Sequence, residues 1–503
     1  MSRWSAPIGG LTAAALLAQA GQRVAEFEQH DKPGGFCHGW EGVGTDGGQR
    51  LPFRFDAGVH DISGWFDGGT VRELLRRLHL ASALVWRRMD HGFVDSGQRW
   101  DAPRGWDAFT DALAARHPAR APALRRLLAD VPTIFDAMYA TAPQPGGVPG
   151  PPDSVDGLKA FAREHPLAVR WMAEPFDDLL AHHGVDGLAR AQLLALSVYV
   201  THDPATLRVR DMVPLLGYFL HGGHYPLGGS GALAQALADS LALDGAALHL
   251  STRVSTVQLR PDGRGVQALL LADGSRVRCR AVVMNGDAVA AQGLLPPAGA
   301  IPPMLAALRS AASTLAVHLG VRGDPPALPP VVHLQDEASG GALEIVLPST
   351  VDPSAAPPGY FTVALMRLVR PEDMTGWFDD PSAFDPVTQR QSAAYQARKA
   401  LAADQLIDAA ETVIPGLLAR TVLRRDASPV TFRRYGHSTH GAVYGARGPD
   451  GRLGPLPRRS PVPGLVFAGA AVKGPGEEPA MMAGAEAADA LWPGLLRAAR
   501  GTG

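Results

Sequence analysis

Two glycines at the head of a helix, with a carboxylate one strand further on, have spacing that suits chemistry. Gly9 and Gly10 open the Ala/Leu-rich stretch Leu11 to Ala20, and Glu28 follows eighteen positions after Gly10, ending the apolar run Arg23 to Glu28. Backbone amides at a helix N-terminus hold a pyrophosphate, and a carboxylate about 20 residues on accepts hydrogen bonds from a ribose, so the spacing suits a dinucleotide. Packing glycines with a surface glutamate would look the same, so this pair alone decides nothing. His60 can serve as general acid or base, because an unperturbed imidazole titrates near neutrality. His221, His224, His437 and His440 read as packing histidines, and Glu477-Glu478 as a solvated loop. No HExxH or paired-cysteine spacing occurs, so no metal site is expected. The string Gly229-Ser230-Gly231 lacks the spacing of a hydrolase nucleophile turn.

Four more motifs change the weight of the first. Pro33-Gly34-Gly35 follows Glu28, and Phe55-Asp56-Ala57-Gly58 follows a strand. Tyr225-Pro226-Leu227-Gly228-Gly229-Ser230-Gly231 and Gly464-Leu465-Val466-Phe467-Ala468-Gly469-Ala470 come later in the chain. In this order, from about Ile8 to Ala488, they resemble the flavin-dependent amine-oxidase-like superfamily. Within it the chain is similar to the phytoene desaturase, carotenoid isomerase and retinol saturase family.

The resemblance implies noncovalent FAD. Its pyrophosphate would sit over Gly9, Gly10 and Leu11, with Gly34 and Gly35 beside it and Glu28 on the ribose. Val254 would meet the adenine, and Gly469, Ala470 and the loop to Met481 would approach the ribityl chain and the flavin. The segment after Gly58, with His60, Asp61, Ser63 and Trp65, would lie near the ring. Arg434, Tyr435, His437 and Tyr444 would approach from the C-terminal side. His60, Asp61 and Tyr435 are the catalytic candidates, although His60 and Asp61 equally suit hydrogen bonds to loop backbone. Catalysis of this kind rests on positioning and desolvation at the flavin N5.

The chain departs from the family at Ala470, where an acidic residue is frequent, and more sharply at its start. Ser5 and Pro7 stand where the pattern has glycine, and Met1 to Trp4 are too few for a central strand. Pro7 has no amide proton to offer a phosphate. Written in GC-rich codons and read one base over, Met1 to Pro7 becomes Asp-Val-Ala-Val-Val-Gly-Ala, a strand and the start of a glycine loop. Met1 to Pro7 therefore reads as an out-of-frame segment; if it is genuine, FAD binding should be badly weakened.

The elements that must position these residues alternate. Helices are expected at Leu11 to Ala20, Val71 to Leu80, Leu233 to Leu243, Thr388 to Ile414 and Ala480 to Leu491. Most of Asp107 to Leu196 also reads as helical, broken by a Pro/Gly linker at Pro143 to Pro152. Strands are expected at 23–28, 50–55, 98–102, 247–250, 253–259, 266–271, 278–285, 313–321, 359–368 and 464–469. Interleaving implies an α/β protein with parallel pairing. The expectation is a Rossmann-type FAD domain from 1–75, 206–290 and 431–503, with a substrate domain of mixed sheet and helices from 76–205 and 291–430.

Composition narrows the functions. Lys plus Arg total 47 against 49 for Asp plus Glu, a net charge of -2, which argues against a nucleic-acid partner. Hydrophobic residues make up 46% and charged residues 19%, which excludes disorder. Two cysteines, Cys37 and Cys279, cannot build a disulfide framework, and none lies near the expected flavin end for covalent attachment. The uncharged run Met212 to Ala238 holds Pro214, Pro226 and many glycines and does not read as a membrane span. A cytoplasmic protein with an apolar small-molecule substrate is expected, with peripheral membrane contact compatible with a lipid substrate. The leading activity is oxidation of an apolar, polyene or lipid-like substrate by hydride transfer, of desaturase type. A non-redox cis-trans isomerase, a saturase and a flavin-free relative are the alternatives.

Overall fold

The computed structural model describes residues 7–58, 60–95, 97–140, 155–199, 207–295, 301–336, 341–377, 392–449, 451 and 453–496. The first helix, Ile8–Gln19, starts directly after Pro7 and is buried along most of its length. It packs against the helices Ser230–Leu243 and Glu477–Leu491. Its contact with the last helix is backbone-close: a side chain at Gly484 would run into the carbonyl of Gly9. Ala-rich and Gly-containing surfaces permit that approach, so the helical pair is bought with small residues.

Parallel pairing is present but divided. Ala25–Phe27 pairs in parallel with Ala247–His249, and Val282–Met284 with Leu465–Phe467, as two separate two-stranded units. The first helix reaches both. A Cβ on Gly10 would stand 2.8 Å from Glu26 Oε1, on the first unit, and 3.2 Å from Asn285 Nδ2, just past the second. Residues 1–6, the bulk of the segment read as out of frame, lie outside the described residues; Pro7 forms a parallel bridge with Gly34.

Among the described residues the largest sheet has seven strands and is the mixed sheet expected of the substrate domain. Its order is Thr421–Ala427, Ser313–Arg322, Tyr360–Val369, Gly341–Val346, Val331–Asp336, His91–Asp95 and Gln98–Asp101. Only Val331–Asp336 with His91–Asp95 is parallel, because the other neighbours pair antiparallel. The helix Ala393–Glu411 lays Leu406, Ile407 and Ala410 on this sheet. The helices between Trp106 and Tyr199 join Val209–His221 in a second core around Leu127, Phe176 and Met212.

Other departures are local. The strand expected over 278–285 is two, Arg276–Arg278 in an antiparallel ladder and Val282–Met284 in the parallel unit. The hairpin Gly39–Asp46 and Gln49–Asp56 ends on Asp56, which accepts from the Ser230 amide at 2.8 Å and from Tyr225 at 2.7 Å. That carboxylate pins the glycine turn at 228–229 to the hairpin. The Pro143 to Pro152 linker lies outside the described residues. Among the described residues no helix is long and apolar enough to cross a membrane.

Candidate active site

A cavity of about 2090 Å³ runs between these layers. Drug-sized ligand pockets span ~300–1,000 Å³, so the space suits a dinucleotide and an extended substrate together. Its lining combines glycine turns (Gly34, Gly35, Gly58, Gly469), apolar side chains (Met138, Phe161, Met172, Leu194, Leu215) and a few polar ones (His60, Glu344, Tyr444, Glu477).

The turns are glycine for steric reasons. Gly34 has φ +103° and Gly469 φ +78°, in the left-handed region that side chains disfavour. A Cβ on Gly34 would strike the Cys37 carbonyl, and one on Gly469 the Asn285 side chain. The single turn Ala470–Lys473 begins directly after Gly469 and the last helix, Glu477–Leu491, directly after Gly476, and the first residues of both line the cavity. Such ends favour anions and electron-rich oxygens. Asn285, which sequence reasoning placed only at a strand end, donates from Nδ2 to the Pro7 carbonyl at 3.2 Å and lines the cavity.

Several residues expected at the cofactor stand elsewhere. Gly10 and Leu11 donate their amides to the Pro7 carbonyl, at 2.9 and 3.2 Å, and Leu11 is fully buried. Gly9 packs on Ala480 and Gly10 on Glu26 and Asn285, so these two serve helix packing and do not line the cavity. Glu28 is 0% exposed; its Oε1 accepts from the His30 amide at 2.7 Å. Burial pushes its carboxyl up to about 9, against the pull of the His30 amide. The Glu28 backbone bonds His249 and Thr252, which brings it to the strand that Val254 opens. Glu28, Val254 and Met481 are not among the lining residues, whereas Met482 is. Ala470 lines the cavity with no acid in its place.

Of the catalytic candidates, the structure gathers two. His60 Nε2 lies 3.2 Å from Glu344 Oε1, and both line the cavity. Burial lowers the His60 basicity, but Glu344, Asp61 and Asp56 together outweigh it and raise the imidazole to about 9. Asp61 also lines the cavity, its side chain shielded from solvent; Tyr218 donates to its Oδ2 and His91 Nε2 stands 2.9 Å away. His91 Nδ1 in turn lies 3.0 Å from His333 Nε2, and His333 pairs across the sheet with Glu344. Tyr435 is 49% exposed, with the Arg434 guanidinium over its ring, and does not line the cavity; Tyr444 does. Tyr435 lies in the last turn of the helix Pro429–Gly436, which buries Pro429, Val430 and Phe432 instead.

The reading of Glu477-Glu478 as a solvated loop is corrected. Both open the last helix; Glu478 is buried and accepts from Tyr139 at 3.3 Å, while burial raises Glu477 to about 7 beside the cavity. Glu344 carried no motif in the sequence, since it sits mid-strand in a hairpin that alternation alone did not reveal. Among the described residues no group of His, Cys, Asp and Glu could hold a metal ion.

This architecture is that of a flavoenzyme. The chain matches the family of flavin containing amine oxidoreductases over residues 8–491 and belongs to it. It is 25% identical to prolycopene isomerase 1, chloroplastic, of an Oncidium hybrid cultivar, over 93% of this chain and 77% of that protein. It is 23% identical to human all-trans-retinol 13,14-reductase, over 92% of this chain and 80% of that protein. An oxidoreductase from Methanosarcina mazei has the same fold, with a TM-score of 0.60 at 16% identity over 96% of this chain and 98% of that one. The cofactor is FAD, which sets the flavin-free alternative aside. The glycine turns, the helix ends and the size of the cavity fit that group, with Pro7 as the one poorly suited neighbour.

Proposed function

We propose that this protein is an FAD-dependent oxidoreductase acting on the CH–CH bonds of an apolar, polyene or lipid-like substrate, in the desaturating direction. The observation that supports this reading most is the single cavity in which glycine turns and helix ends adjoin an apolar wall. FAD, bound noncovalently, supplies the acceptor for a hydride at its N5.

The chain's own residues do the rest. Gly34, Gly35 and Gly469 would give the cofactor's diphosphate and ribityl chain close backbone approach. Met138, Phe161, Met172 and Leu215 hold an extended apolar chain and exclude water from it. Removing two hydrogens from a CH–CH unit releases a hydride and a proton, and the Glu344 carboxylate, 3.2 Å from His60 on the cavity wall, stands to take the proton. The isomerase and reductase among the relatives keep the other two directions in view.

Anaerobic incubation of the FAD-loaded protein with a polyene such as phytoene, followed by mass analysis, tests the reading. A product lighter by two hydrogens with loss of flavin colour is expected. A product of unchanged mass that appears only after prior reduction assigns the isomerase instead, and a heavier product the saturase.

A further inference from the structure

We propose that the substrate carries an oxygen function, a hydroxyl or carbonyl, which accepts a hydrogen bond from His60 at the Glu344 side of the cavity. This deepens the reading of an apolar substrate given above and rests on it.

The argument begins with cost. Glu344 and His60 are an ion pair whose side chains are 17% and 9% exposed. Asp61, Tyr218 and His333 line the same cavity and, with the buried His91, extend the polar cluster, which the cross-strand pairing of His333 with Glu344 closes. Buried ion pairs and their networks are weak sources of stability, and apolar replacements of equal volume are frequently neutral or better. A pure hydrocarbon would gain nothing from such a wall and would strip it of whatever water it holds. The cluster therefore makes physical sense as a binding feature for a polar atom.

Its geometry selects the atom. Charge-assisted N–H···O contacts close to about 2.7–2.9 Å, whereas His60 and Glu344 stand 3.2 Å apart. His60 is the donor, held cationic by Glu344, Asp61 and Asp56, so its natural guest is an acceptor oxygen. A protonated amine would face this cation with no lone pair to offer it. The apolar residues Met138, Phe161 and Met172 line the same cavity and suit the remainder of such a molecule.

Farnesene, farnesol and farnesal share a fifteen-carbon skeleton and differ in the oxygen alone. Their binding to the FAD-loaded protein, measured by calorimetry, is the test. Farnesol or farnesal should bind about tenfold or more tightly than farnesene, the worth of one hydrogen bond to a charged donor. His60→Phe or Glu344→Gln should erase most of that preference; if neither variant folds, the wild-type comparison decides alone. Equal binding of all three overturns the proposal and leaves the apolar-substrate reading intact. A preference that survives in a folded His60→Phe protein also overturns it. If none of the three binds, the apolar-substrate reading falls, and this proposal with it.

Discussion

His60 and Glu344, 284 positions apart in sequence, meet at 3.2 Å on the wall of the cavity. One follows the hairpin that ends in Asp56, and the other sits mid-strand in the large sheet. Their pairing joins the two sheet systems at the point where an acid or base is wanted. The cationic form of His60 is favoured up to about 9, above its ordinary 6.5. Glu344→Gln should lower that titration toward neutrality, as read by NMR of the histidine ring. The stabilisation that follows from this raised titration, set by Glu344, Asp61 and Asp56 against burial, is fully present below pH ~6.5 and lost as pH rises through about 9. An unmoved His60 titration in Glu344→Gln would contradict this.

Alkaline pH should weaken the cofactor-free protein for a second reason. Burial raises Glu26 to about 8, Glu28 to about 9 and Glu477 to about 7, each from 4.5. Carboxyls that resist ionisation in the fold favour folding at low pH, and the advantage disappears as pH climbs from ~4.5 through those values. Glu26 Oε2 is buried with no hydrogen-bond partner among the described residues. Melting temperature should fall between pH 5 and 9, and Glu26→Gln should flatten that fall. A melting temperature that rises over this range would refute the assignment.

Pro7 is the residue least suited to the cofactor. Its ring packs 3.1 Å from the position a Gly35 side chain would take, and it has no amide proton. Pro7→Gly restores an N–H at the helix end, where a charge-assisted bond to phosphate is worth about tenfold in affinity. FAD titration followed by flavin fluorescence should show this tightening. Weaker binding in Pro7→Gly would mean that Pro7 is a needed brace for Ile8–Gln19.

The parts legible in the sequence were those with local signatures. The helices Ile8–Gln19, Ser230–Leu243 and Glu477–Leu491 and the strand Leu465–Phe467 announce themselves by small apolar residues and by bounding glycines. Gly34, Gly58 and Gly469 were found as cavity residues for the same reason, since each sits in a turn with a motif. Gly9 and Gly10 pack closely against Ala480, Glu26 and Asn285, and spacing alone could not tell that packing from phosphate binding, because both ask for the same residue type. Glu344, His333 and His91 could not be found, as their meeting depends on the register of the hairpin of Val331–Asp336 and Gly341–Val346 against His91–Asp95, a strand far away in sequence. Tyr435 and Tyr444 were indistinguishable in sequence, since only the packing of the helix Pro429–Gly436 and of the segment after it decides which ring lines the cavity.

The placement of FAD against Gly34 and Gly469 is the claim on which the mechanism stands. Titration of FAD into wild-type and Gly469→Ala protein, with folding of both verified by circular dichroism, tests it most directly. A methyl group at residue 469 must displace Asn285 and hold a left-handed backbone, at the mouth of the cavity. The expected result is one FAD per wild-type chain and binding at least about tenfold weaker, or absent, in folded Gly469→Ala, as a loss of ~1.4 kcal/mol or more requires. Equal affinity in the two proteins would place the cofactor away from this turn and contradict the account.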